Sequence, residues 1–590
     1  MKLKDYGYHY PGEQKETDYN INDISLFQNN IITNREISTF REEMFMNDWD
    51  YNTESIIVKK ISNGANKLFK HLKEKSHIAI VSDSDCDGLT SAATTYRILK
   101  YVFNHPEDQI SVIINKRKHG NSFNKTLVNR VKELHKHKKI DLMYSCDQGS
   151  LNGIEYRDFA ETCGFEMIIT DHHQVREGEL YPFAKGLVFV NPNDIDNPTG
   201  YNETKGLSGC TITLFLLMIT YGYLKGESRN EIDYRVFYPY FDLVALSVVS
   251  DIMPCDNRMN RWLYKIGVNV MNRSDNVLFN SLRFVLDIPG KIELSDIRMK
   301  IAPFVNSANR MDVEDIAYTM LSSNVEETII QEAERLVLYN KEKKDIIKTI
   351  TKELIQGLDS IDCSDGIIVT IKDVAAVNGI IAGKIGSLKR VPTICFIDKG
   401  ETLAGSCRAI VPGFDLIELF TRISKQDSNV ILNFGGHKDA CGVHIDKDFL
   451  DVFQGLFFQN VHDMLEDIPK DQLINIDYMV KEEDLDLGLI YSQNSLAPYG
   501  KEFKDPILLS IFYIKAVIPM GDIMKVIFRR KNGGTLSGFY NFGTSDYITI
   551  DNAKNILQTD VKCLVSYSCD VGSYAGSYDI NLNILKIDII

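Results

Sequence analysis

The chain has 590 residues, 44% of them hydrophobic, which is too long for a single core and predicts three or four domains. Its net charge of −15 argues against a general polyanion binder, although carboxylates gathered around divalent cations add to that charge without repelling a substrate once metal is bound. The cysteines are scattered and the N-terminus is polar, which predicts a cytoplasmic protein without disulfides. The longest apolar stretch (210–224) is shorter than the ~20 residues that a bilayer requires, so no membrane span is predicted.

Residues 1–75 are polar and aromatic, with helix-like spacing towards their end, and are predicted to form a lead-in arm. Four short apolar runs follow, separated by segments long enough for crossover helices: HIAIVSD, IDLMYSCD, FEMIITDHH and GLVFVNPN. Because these runs are continuous rather than alternating, they indicate strands that are buried on both faces. They predict an α/β fold with a doubly wound parallel sheet.

Acidic residues directly follow three of these runs. Asp83, Asp147 and Asp171 would stand at the carboxyl ends of parallel strands, where open sheets place their ligand crevice. The chain carries four such clusters: SDSDCDG at 82–88, SCDQG at 145–149, TDHH at 170–173 and SDIMP at 250–254. One cluster alone is typical of a surface turn, but four together predict a metal site.

The rest of the chain predicts three further parts. Helical patterns dominate up to residue 325, so the domain that contains the predicted sheet is assigned to 76–325, and a long charged helix at 326–358 would connect it to the next domain. Strand-like runs and glycine-rich turns predict a smaller α/β domain at 359–468. Strand patterns with an N-G-G hairpin signal at 532–534 predict a small β-barrel at 469–590.

Carboxylates and histidine without cysteine suit a hard cation such as Mg²⁺ or Mn²⁺. Two such ions about 3.5–4 Å apart are an arrangement that hydrolyses phosphate esters. Asp85 and Asp87, two apart in an extended loop, would point one way and could hold separate ions or bridge them. The D-x-D-x-D-G pattern also opens calcium-binding loops, but here the twelfth loop position is Thr94 instead of glutamate and a strand precedes the loop, which favours Mg²⁺ or Mn²⁺.

The remaining clusters have expected roles in this site. Asp147 stands alone in its cluster and is the candidate bridge between the ions. His172 and His173 would add nitrogen ligands or a proton donor, with Asp171 orienting the first histidine. Asp251, after the apolar helix LVALSVV, would close the site.

These motifs resemble those of the DHH phosphoesterase superfamily, and four later segments extend the resemblance in the order found in its RecJ family of exonucleases. The segments are KIAPFVNSANRM at 300–311, GSCRAIVPGFDL at 405–416, FGGHKDACG at 434–442, which resembles the DHHA1 domain signature, and LAPYGKEFKDP at 496–506, which resembles the stretch before an oligonucleotide-binding (OB) barrel. The resemblance covers the chain from about residue 40 to its end. Phe304 and Asn309 depart from it, since the family often has arginine and glycine there, and 501–506 differs from the usual loop.

The resemblance implies two sets of site residues. The set on the catalytic motifs is Asp83, Asp85, Asp87, Asp147, Asp171, His172, His173 and Asp251. Within it, the implied ligands of two Mn²⁺ or Mg²⁺ ions are Asp85, Asp87, Asp147, His172 and Asp251. The set that would hold nucleic-acid phosphates across a cleft is Asn306, Arg310, Ser406, Arg408 and His437.

Two further segments have both a nucleic-acid interpretation and an ordinary one. The basic stretch at 114–139 is more typical of a solvated helix face. Phe528, Arg529 and Arg530 come directly before the predicted hairpin turn, and aromatic residues at 539, 540 and 542 follow it. Such residues bind single strands in OB barrels, although barrel aromatics are as often core.

The resemblance implies a 5′–3′ exonuclease for single-stranded DNA in DNA repair or recombination, acting as a monomer with a single-strand-binding protein or helicase as its partner. One alternative is a phosphodiesterase for very short oligonucleotides or cyclic dinucleotides. Another is a non-catalytic scaffold that binds single strands. The exonuclease would cut long strands, the phosphodiesterase would cut only short substrates, and the scaffold would cut nothing.

Overall fold

The computed structural model describes residues 8–9, 59–120, 123–150, 153–175, 186–193, 205–226, 233–358, 363–372, 376–468, 473–520, 523–541, 560–574 and 577–590. These residues fall into two compact units. The first unit lies within 46–346 and includes 500–503, and the second lies within 1–45, 347–499 and 504–590. The first described strand, β1 (Tyr8–His9), belongs to the second unit. Among the described residues, no helix has both the length and the apolar character needed to cross a bilayer.

A five-stranded parallel sheet forms the centre of the first unit. Its strands are β2 (Ile78–Ser82), β3 (Ile110–Ile114), β4 (Leu142–Cys146), β5 (Glu166–Thr170) and β6 (Leu187–Val190). They lie in the order β3-β2-β4-β5-β6, so the order reverses between β2 and β4, a switch point at which such sheets bind ligands. Every residue of β2 and β4 is buried, which confirms the predicted doubly wound α/β fold.

All five strands end in one row. The terminal residues of neighbouring strands are paired across the sheet, in the order Ile114, Ser82, Cys146, Thr170 and Val190. Because the strands are parallel, their carboxyl ends meet at the same edge of the sheet. The residue that follows each strand therefore projects from that edge.

Helices cover both faces of this sheet and complete the first unit. They are α1 (Lys59–Lys73), α2 (Cys86–Tyr101), α3 (Lys125–His137), α4 (Gly153–Cys163), α5 (Gly209–Lys225), α6 (Phe241–Ser250), α7 (Arg258–Met271), α8 (Val277–Val285) and α9 (Glu314–Ser322). The apolar stretch at 210–224 forms α5, which is buried along almost its whole length. Ser208 caps this helix by accepting a hydrogen bond from the Thr211 amide.

Helix α1 is part of the core of the first unit. Ile61, Ala65 and Leu68 repeat at helical spacing and are fully buried against the sheet and α5. The predicted arm at 1–75 therefore has a packed helix at its end, while residues 1–7 and 10–58 lie outside the described part of the chain.

A chain of short helical turns links α8 to α9. These are Leu294–Asp296, the π-helical turn Ile297–Ile301, Ala302–Val305 and Ser307–Arg310. Such π-helical turns are frequent at functional sites. After α9, the 33-residue helix α10 (Glu326–Leu358) has the bounds predicted for the connecting helix.

The second unit contains a mixed five-stranded sheet. Its elements are β7 (Ile367–Ile371), α11 (Asn378–Lys389), β8 (Thr393–Asp398), β9 (Thr402–Arg408), α12 (Leu416–Gln426), β10 (Asn433–His437), β11 (Ala440–Asp446) and α13 (Leu450–Asp467). The strand order is β10-β11-β9-β8-β7. The apolar face of α12 packs with α13 on one side of this sheet, around Phe420, Phe453 and Phe457.

The second unit ends in a closed β-barrel. It follows β12 (Ile474–Asn475), which pairs with β1, then β13 (Tyr478–Met479) and α14 (Leu487–Ser495). The barrel strands are β14 (Leu508–Met520), β15 (Ile523–Arg529), β16 (Thr535–Asn541), β17 (Lys562–Tyr574) and β18 (Ser577–Ile589). Their order β14-β15-β16-β18-β17 closes through pairing of β17 with β14, which confirms the predicted OB-like barrel.

Candidate functional site

A polar residue follows every strand of the parallel sheet in the first unit. In spatial order these residues are Asn115, Asp83, Asp147, Asp171 and Asn191. The amide of each of the first four donates to the carbonyl of the last residue of a neighbouring strand, at 2.8–3.4 Å, and so extends the ladder by one step. The structure thus brings the three predicted aspartates to one edge, and it adds two asparagines that were not predicted.

The acidic residues and histidines at this edge form three groups that could hold a metal ion. Within each group, one ligand atom from every residue lies within 4.8 Å of the others. The groups are Asp83 with Asp85 and Asp147; Asp87 with His172 and Asp251; and Asp147 with Asp171, His172 and His173. Asp147 belongs to the first and the last of these groups, and His172 belongs to the second and the last. Oδ1 of Asp147 is 3.2 Å from Nε2 of His172, so the three groups adjoin one another.

Asp147 sits in a turn with unusual backbone geometry. Its φ angle of 56° is in the left-handed region, and Gly149, two residues later, has a φ of 122°. The carboxylate lies directly against Gly209, where an added Cβ would be 2.5 Å from Asp147 Oδ1. A glycine at the start of α5 therefore leaves the space that the Asp147 carboxylate fills.

Asp85 and Asp87 differ in their surroundings, which corrects the expectation of an extended loop. Helix α2 begins between them, with Asp85 as its N-cap accepting from the Gly88 amide at 3.1 Å. Asp87 lies in the first turn and accepts from the amides of Gly209 and Cys210 at the start of α5, at 2.8 and 2.9 Å, and from Ser247 at 2.6 Å. Because the helix turns the two side chains apart, they join different metal-binding groups.

Asp171 holds the TDHH segment in place. Its Oδ1 accepts from the amides of His172 and His173 and faces Nδ1 of the His173 ring at 2.8 Å, while Oδ2 accepts from the Ser150 amide at 2.7 Å. Asp171 was expected to orient the first histidine, and it does accept from the main-chain amide of His172, but the ring that it faces is that of His173. It contacts the second ring, because side chains two apart in an extended segment point the same way and adjacent ones point apart.

Two asparagines after β6 support the same segment. Asn191 donates to the His173 carbonyl at 2.8 Å and to Ser150, and Asn193 donates to the His172 carbonyl at 2.5 Å. Sequence reasoning missed both, although the N-P-N that follows an apolar run was a signal of the same kind as the aspartates. Both main-chain carbonyls of the histidine pair are therefore fixed by side chains.

The site concentrates negative charge in a buried volume. Burial and the neighbouring Asp85 raise the pKa of Asp83 to about 7, and burial raises the pKa of Asp251 to about 7 against the opposing charge of His172. Burial and the Asp87 charge raise the pKa of Asp147 well above its usual range. The carboxylate of Asp171 raises the pKa of His173 to about 10. A divalent cation at this edge would favour the ionised form of Asp83, Asp147 and Asp251.

The residues present fit a hard divalent cation. Asp147 Oδ1 and His172 Nε2 are buried and face each other at 3.2 Å, but among the described residues neither makes a hydrogen bond of good geometry. Buried polar atoms of this kind require a partner that the protein itself does not supply. Carboxylate oxygens with one or two imidazole nitrogens are a donor set that suits Mn²⁺ and Mg²⁺.

Two predicted nucleic-acid residues lie in the first unit, in the chain of short helical turns. The Asn306 side chain accepts from the amide of Cys86 at 2.9 Å, so it touches the start of α2 between Asp85 and Asp87. Arg310 ends the last of these turns. Asn306 thus joins this segment to the metal-binding residues.

Three predicted nucleic-acid residues share one face of the second unit's mixed sheet. His437 pairs with Ala440 and Ala440 with Arg408, while Ser406 pairs with Gly442 and Gly442 with Gly435. Paired residues project from the same face. The glycines therefore leave an open floor between the side chains. The face continues to α11, where an added Cβ on Gly379 would be 2.8 Å from the Arg408 guanidinium.

The two barrel arginines have different surroundings. Arg530 donates to the Glu482 side chain and to the carbonyls of Glu482 and Leu485, and only 18% of its side chain is exposed, so its guanidinium ties the barrel to the segment after β13. Arg529 is exposed, lies over the Tyr513 ring and forms an ion pair with Asp560. Arg529 keeps the predicted role of phosphate contact more readily than Arg530.

The barrel aromatics divide between the core and the surface. Phe528 stacks on Phe512 inside the barrel, and Tyr540 is fully buried. Phe539 is partly exposed beneath Lys525, and residue 542 lies outside the described chain.

In the basic stretch at 114–139, Lys116 donates to Glu314 and Asp315, and Lys118 pairs with Asp312. These lysines tie β3 to the region of α9, which favours the structural interpretation for this part of the stretch.

Comparisons with known proteins agree with the fold and with the metal-binding groups at the carboxyl edge of the sheet. Residues 77–247 match the DHH family, N-terminal domain. The single-stranded-DNA-specific exonuclease RecJ of Haemophilus influenzae is 25% identical over 545 residues, which cover 88% of this chain and 89% of that protein. The crystal structure of Thermus thermophilus RecJ with Mn²⁺ matches at a TM-score of 0.75 and 18% identity, over 99% of this chain and 80% of the other. The Mg²⁺ complex of the same protein matches at 0.69 and 17%, over 99% and 79%. The predicted resemblance is confirmed.

Proposed function

We propose that this chain, whose residues 77–247 match the DHH family and which resembles the RecJ exonucleases along most of its length, is a metal-dependent exonuclease that degrades single-stranded DNA from the 5′ end. The observation that carries the proposal is the convergence of carboxylates and two histidines around Asp147 at the carboxyl edge of the sheet. The exonuclease would act in DNA repair or recombination, as the resemblance implies.

The proposed site residues divide the work of hydrolysis. Two Mn²⁺ or Mg²⁺ ions bound by Asp85, Asp87, Asp147, His172 and Asp251 would activate the attacking water and neutralise charge on the phosphate. Asp171 and Asn191 hold the histidine pair in place through their hydrogen bonds. His173 has a half-exposed ring whose Nδ1 faces Asp171, which leaves Nε2 to deliver a proton to the departing oxygen.

Asp147→Asn tests the proposal, with Asp141→Asn as its matched control. The two residues flank the same strand, β4, at its opposite ends. Asp141 accepts from the His77 amide at 3.0 Å, a bond that asparagine can keep. With single strands labelled at either end and Mn²⁺ or Mg²⁺ present, Asp147→Asn should lose on the order of 10²–10³-fold in rate, and Asp141→Asn should stay close to wild type.

The label position and substrate length test the remaining parts. Release of the 5′ label as mononucleotide, before shortening from the other end, supports the stated polarity. Preference for dinucleotides over long strands would favour the short-substrate phosphodiesterase, and strand binding without any cutting would favour the scaffold. Undiminished activity in Asp147→Asn would refute the assignment of the site.

Several finer expectations rest on the resemblance and the folded elements. We propose domain boundaries at 76–325, 326–358, 359–468 and 469–590, with helix α1 packed onto the first of these domains. The protein would work in the cytoplasm as a monomer on single-stranded DNA, together with a single-strand-binding protein or a helicase. Light scattering and co-purification with tagged protein test these two expectations.

A further inference from the structure

Ile252, the residue after Asp251, has a backbone conformation that its side chain disfavours. Helix α6 ends in a Schellman motif, in which the Met253 amide donates to the Val248 carbonyl at 3.0 Å and the Ile252 amide donates to the Val249 carbonyl at 3.3 Å. This motif requires a residue in the left-handed region, usually glycine, and Ile252 occupies that position with a φ of 53°. A β-branched side chain at positive φ is strained, and the strain has to be offset elsewhere.

The packing of the folded chain does not offset the strain at Ile252. Among the ten described non-glycine residues at positive φ, only Ile252 and Ile410 are β-branched. Ile410 packs against α11, where an added Cβ on Gly386 would be 2.6 Å from Ile410 Cγ1. Ile252 is 65% exposed, although the neighbouring Val248 and Met253 are buried in the core of the first unit. A single exposed apolar residue is ordinary, but one that is also strained indicates a contact outside the folded chain.

Ile252 stands directly beside the metal-binding residues. Asp251 forms one metal-binding group with Asp87 and His172, and its Oδ2 is 3.4 Å from Nε2 of His172. The Cα atoms of neighbouring residues are about 3.8 Å apart, so Ile252 is one residue's length from a proposed metal ligand. The sugar bonded to a phosphate at these ions is the part of a DNA strand that an apolar group so close to them would meet.

We propose that Ile252 positions the single strand by packing against the deoxyribose next to the phosphate that is cut. This inference rests on the proposed function, since it names a substrate contact of the same site. Flat aromatic side chains suit the bases, on which they stack, whereas a branched aliphatic side chain suits the apolar carbons of a puckered sugar ring. The sugar is also the part that every nucleotide shares, so this contact favours no particular base.

Ile252→Gly tests the proposal because its two expected effects have opposite signs. Glycine adopts positive φ at little cost, so the variant should melt about 2 °C above wild type. Because the apolar contact with the sugar is lost, the variant should also lose about tenfold in kcat/KM on a 5′-phosphorylated single strand. Fluorescence anisotropy in the Asp147→Asn background, which slows cutting, should show binding of the same strand that is about tenfold weaker.

Asp287→Gly is the matched control, because Asp287 has the corresponding position in the Schellman motif that ends α8. There the Ile288 amide donates to the Arg283 carbonyl at 3.0 Å, and the Asp287 amide donates to the Phe284 carbonyl at 3.3 Å. Asp287 is exposed and has a φ of 48°. Since aspartate tolerates positive φ better than isoleucine, this variant should gain less stability than Ile252→Gly, and it should keep wild-type binding and activity.

A strand whose two 5′-terminal nucleotides lack their bases separates a sugar contact from a base contact. The tenfold losses in Ile252→Gly should persist on this abasic strand. Their disappearance there would assign the contact to the base and overturn the inference. A lower melting temperature with weaker binding, which indicates a structural role, or wild-type binding and activity on the ordinary strand would also overturn it. If the wild-type protein fails to cut DNA, the proposed function fails, and the binding measurements alone decide whether the contact exists.

Discussion

Asp147 depends on the absence of a side chain on its neighbour. Its carboxylate fills the space over Gly209, while its own backbone is held in the left-handed region. Both conditions cost stability in the absence of a ligand, since a non-glycine residue at positive φ is strained and the buried carboxylate is not solvated. Strain and burial of this kind are typical of residues that are fixed for function.

Gly209→Ala should therefore impair catalysis more than folding. The added methyl group would sit 2.5 Å from Asp147 Oδ1, so the carboxylate must move by about an ångström, which in a metal site costs on the order of 10²-fold in rate. Rate measurements across a Mn²⁺ titration check this, with circular dichroism to confirm folding. Gly455→Ala, in a helix where the new Cβ meets no atom within 4 Å, is the control and should keep full activity. Equal activity of the two variants would contradict the reasoning.

The sequence predicted which residues bear charge at the site but not which residues hold them. Asp147 and Asp171 were predictable because each follows an apolar run. The groups that bind Asp87, namely Ser247 and the amides of Gly209 and Cys210, are more than 120 positions away in the chain. No local pattern marks such partners, since they are ordinary residues at the ends of buried helices.

At the level of elements, one carboxylate joins α1 to the sheet at the edge where the strands begin, opposite the candidate site. Glu166, the first residue of β5, accepts from Lys67 at 2.9 Å and Lys70 at 3.3 Å, and lies 2.7 Å from His71 Nε2. Burial opposes its ionisation, but these partners together lower the pKa of Glu166 to about 2. The ionised form is therefore the one that the fold stabilises.

The pH dependence follows from the sign of this shift. The Glu166 carboxyl has a pKa of about 2 in the folded state and an ordinary pKa of 4.5. Its contribution to the free energy of unfolding is therefore complete above pH 4.5 and is lost as the pH falls towards 2. Glu166→Gln should lower the free energy of unfolding at pH 7 by about 1–2 kcal/mol, a figure reduced for solvent screening because a third of the side chain is exposed.

Urea unfolding at pH 7 and at pH 3.5 measures this difference, which should shrink at the lower pH. Glu133→Gln, which breaks an exposed pair with Lys136 on α3, should have a much smaller effect at both values. A difference between Glu166→Gln and wild type that stays constant with pH would exclude the ion-pair explanation.

The sheet itself was predictable because its strands are buried on both faces and read as continuous apolar runs. The packing of the helix at the end of the predicted arm was harder to predict. Helix α1 has an amphipathic pattern that fits either a free arm or a packed helix, and only the space beside α5 and the sheet decides between them. The predicted OB barrel is present, but the sequence could not show that Arg530 would be engaged by Glu482.

For the whole molecule, metal should stabilise the folded protein. Mn²⁺ at about 100 times its dissociation constant should add about 2.7 kcal/mol if it binds only the folded state, and chelation should remove that gain. Differential scanning calorimetry with and without Mn²⁺ should show a rise of several degrees for wild type and for Asp141→Asn. Asp147→Asn should show little or no rise. An equal rise in all three proteins would place the bound metal elsewhere.

The common row in which the five parallel strands end makes the site sensitive to chain length. One residue inserted within β4 would carry Asp147 about 3.3 Å along the strand and turn its side chain to the opposite face of the sheet. The same insertion in the loop before β4 leaves the row unchanged. Insertions and deletions should therefore be excluded from these strands during divergence and accepted in the loops at the other edge, so that homologues of very different length can share an identical spacing from each strand to its acid.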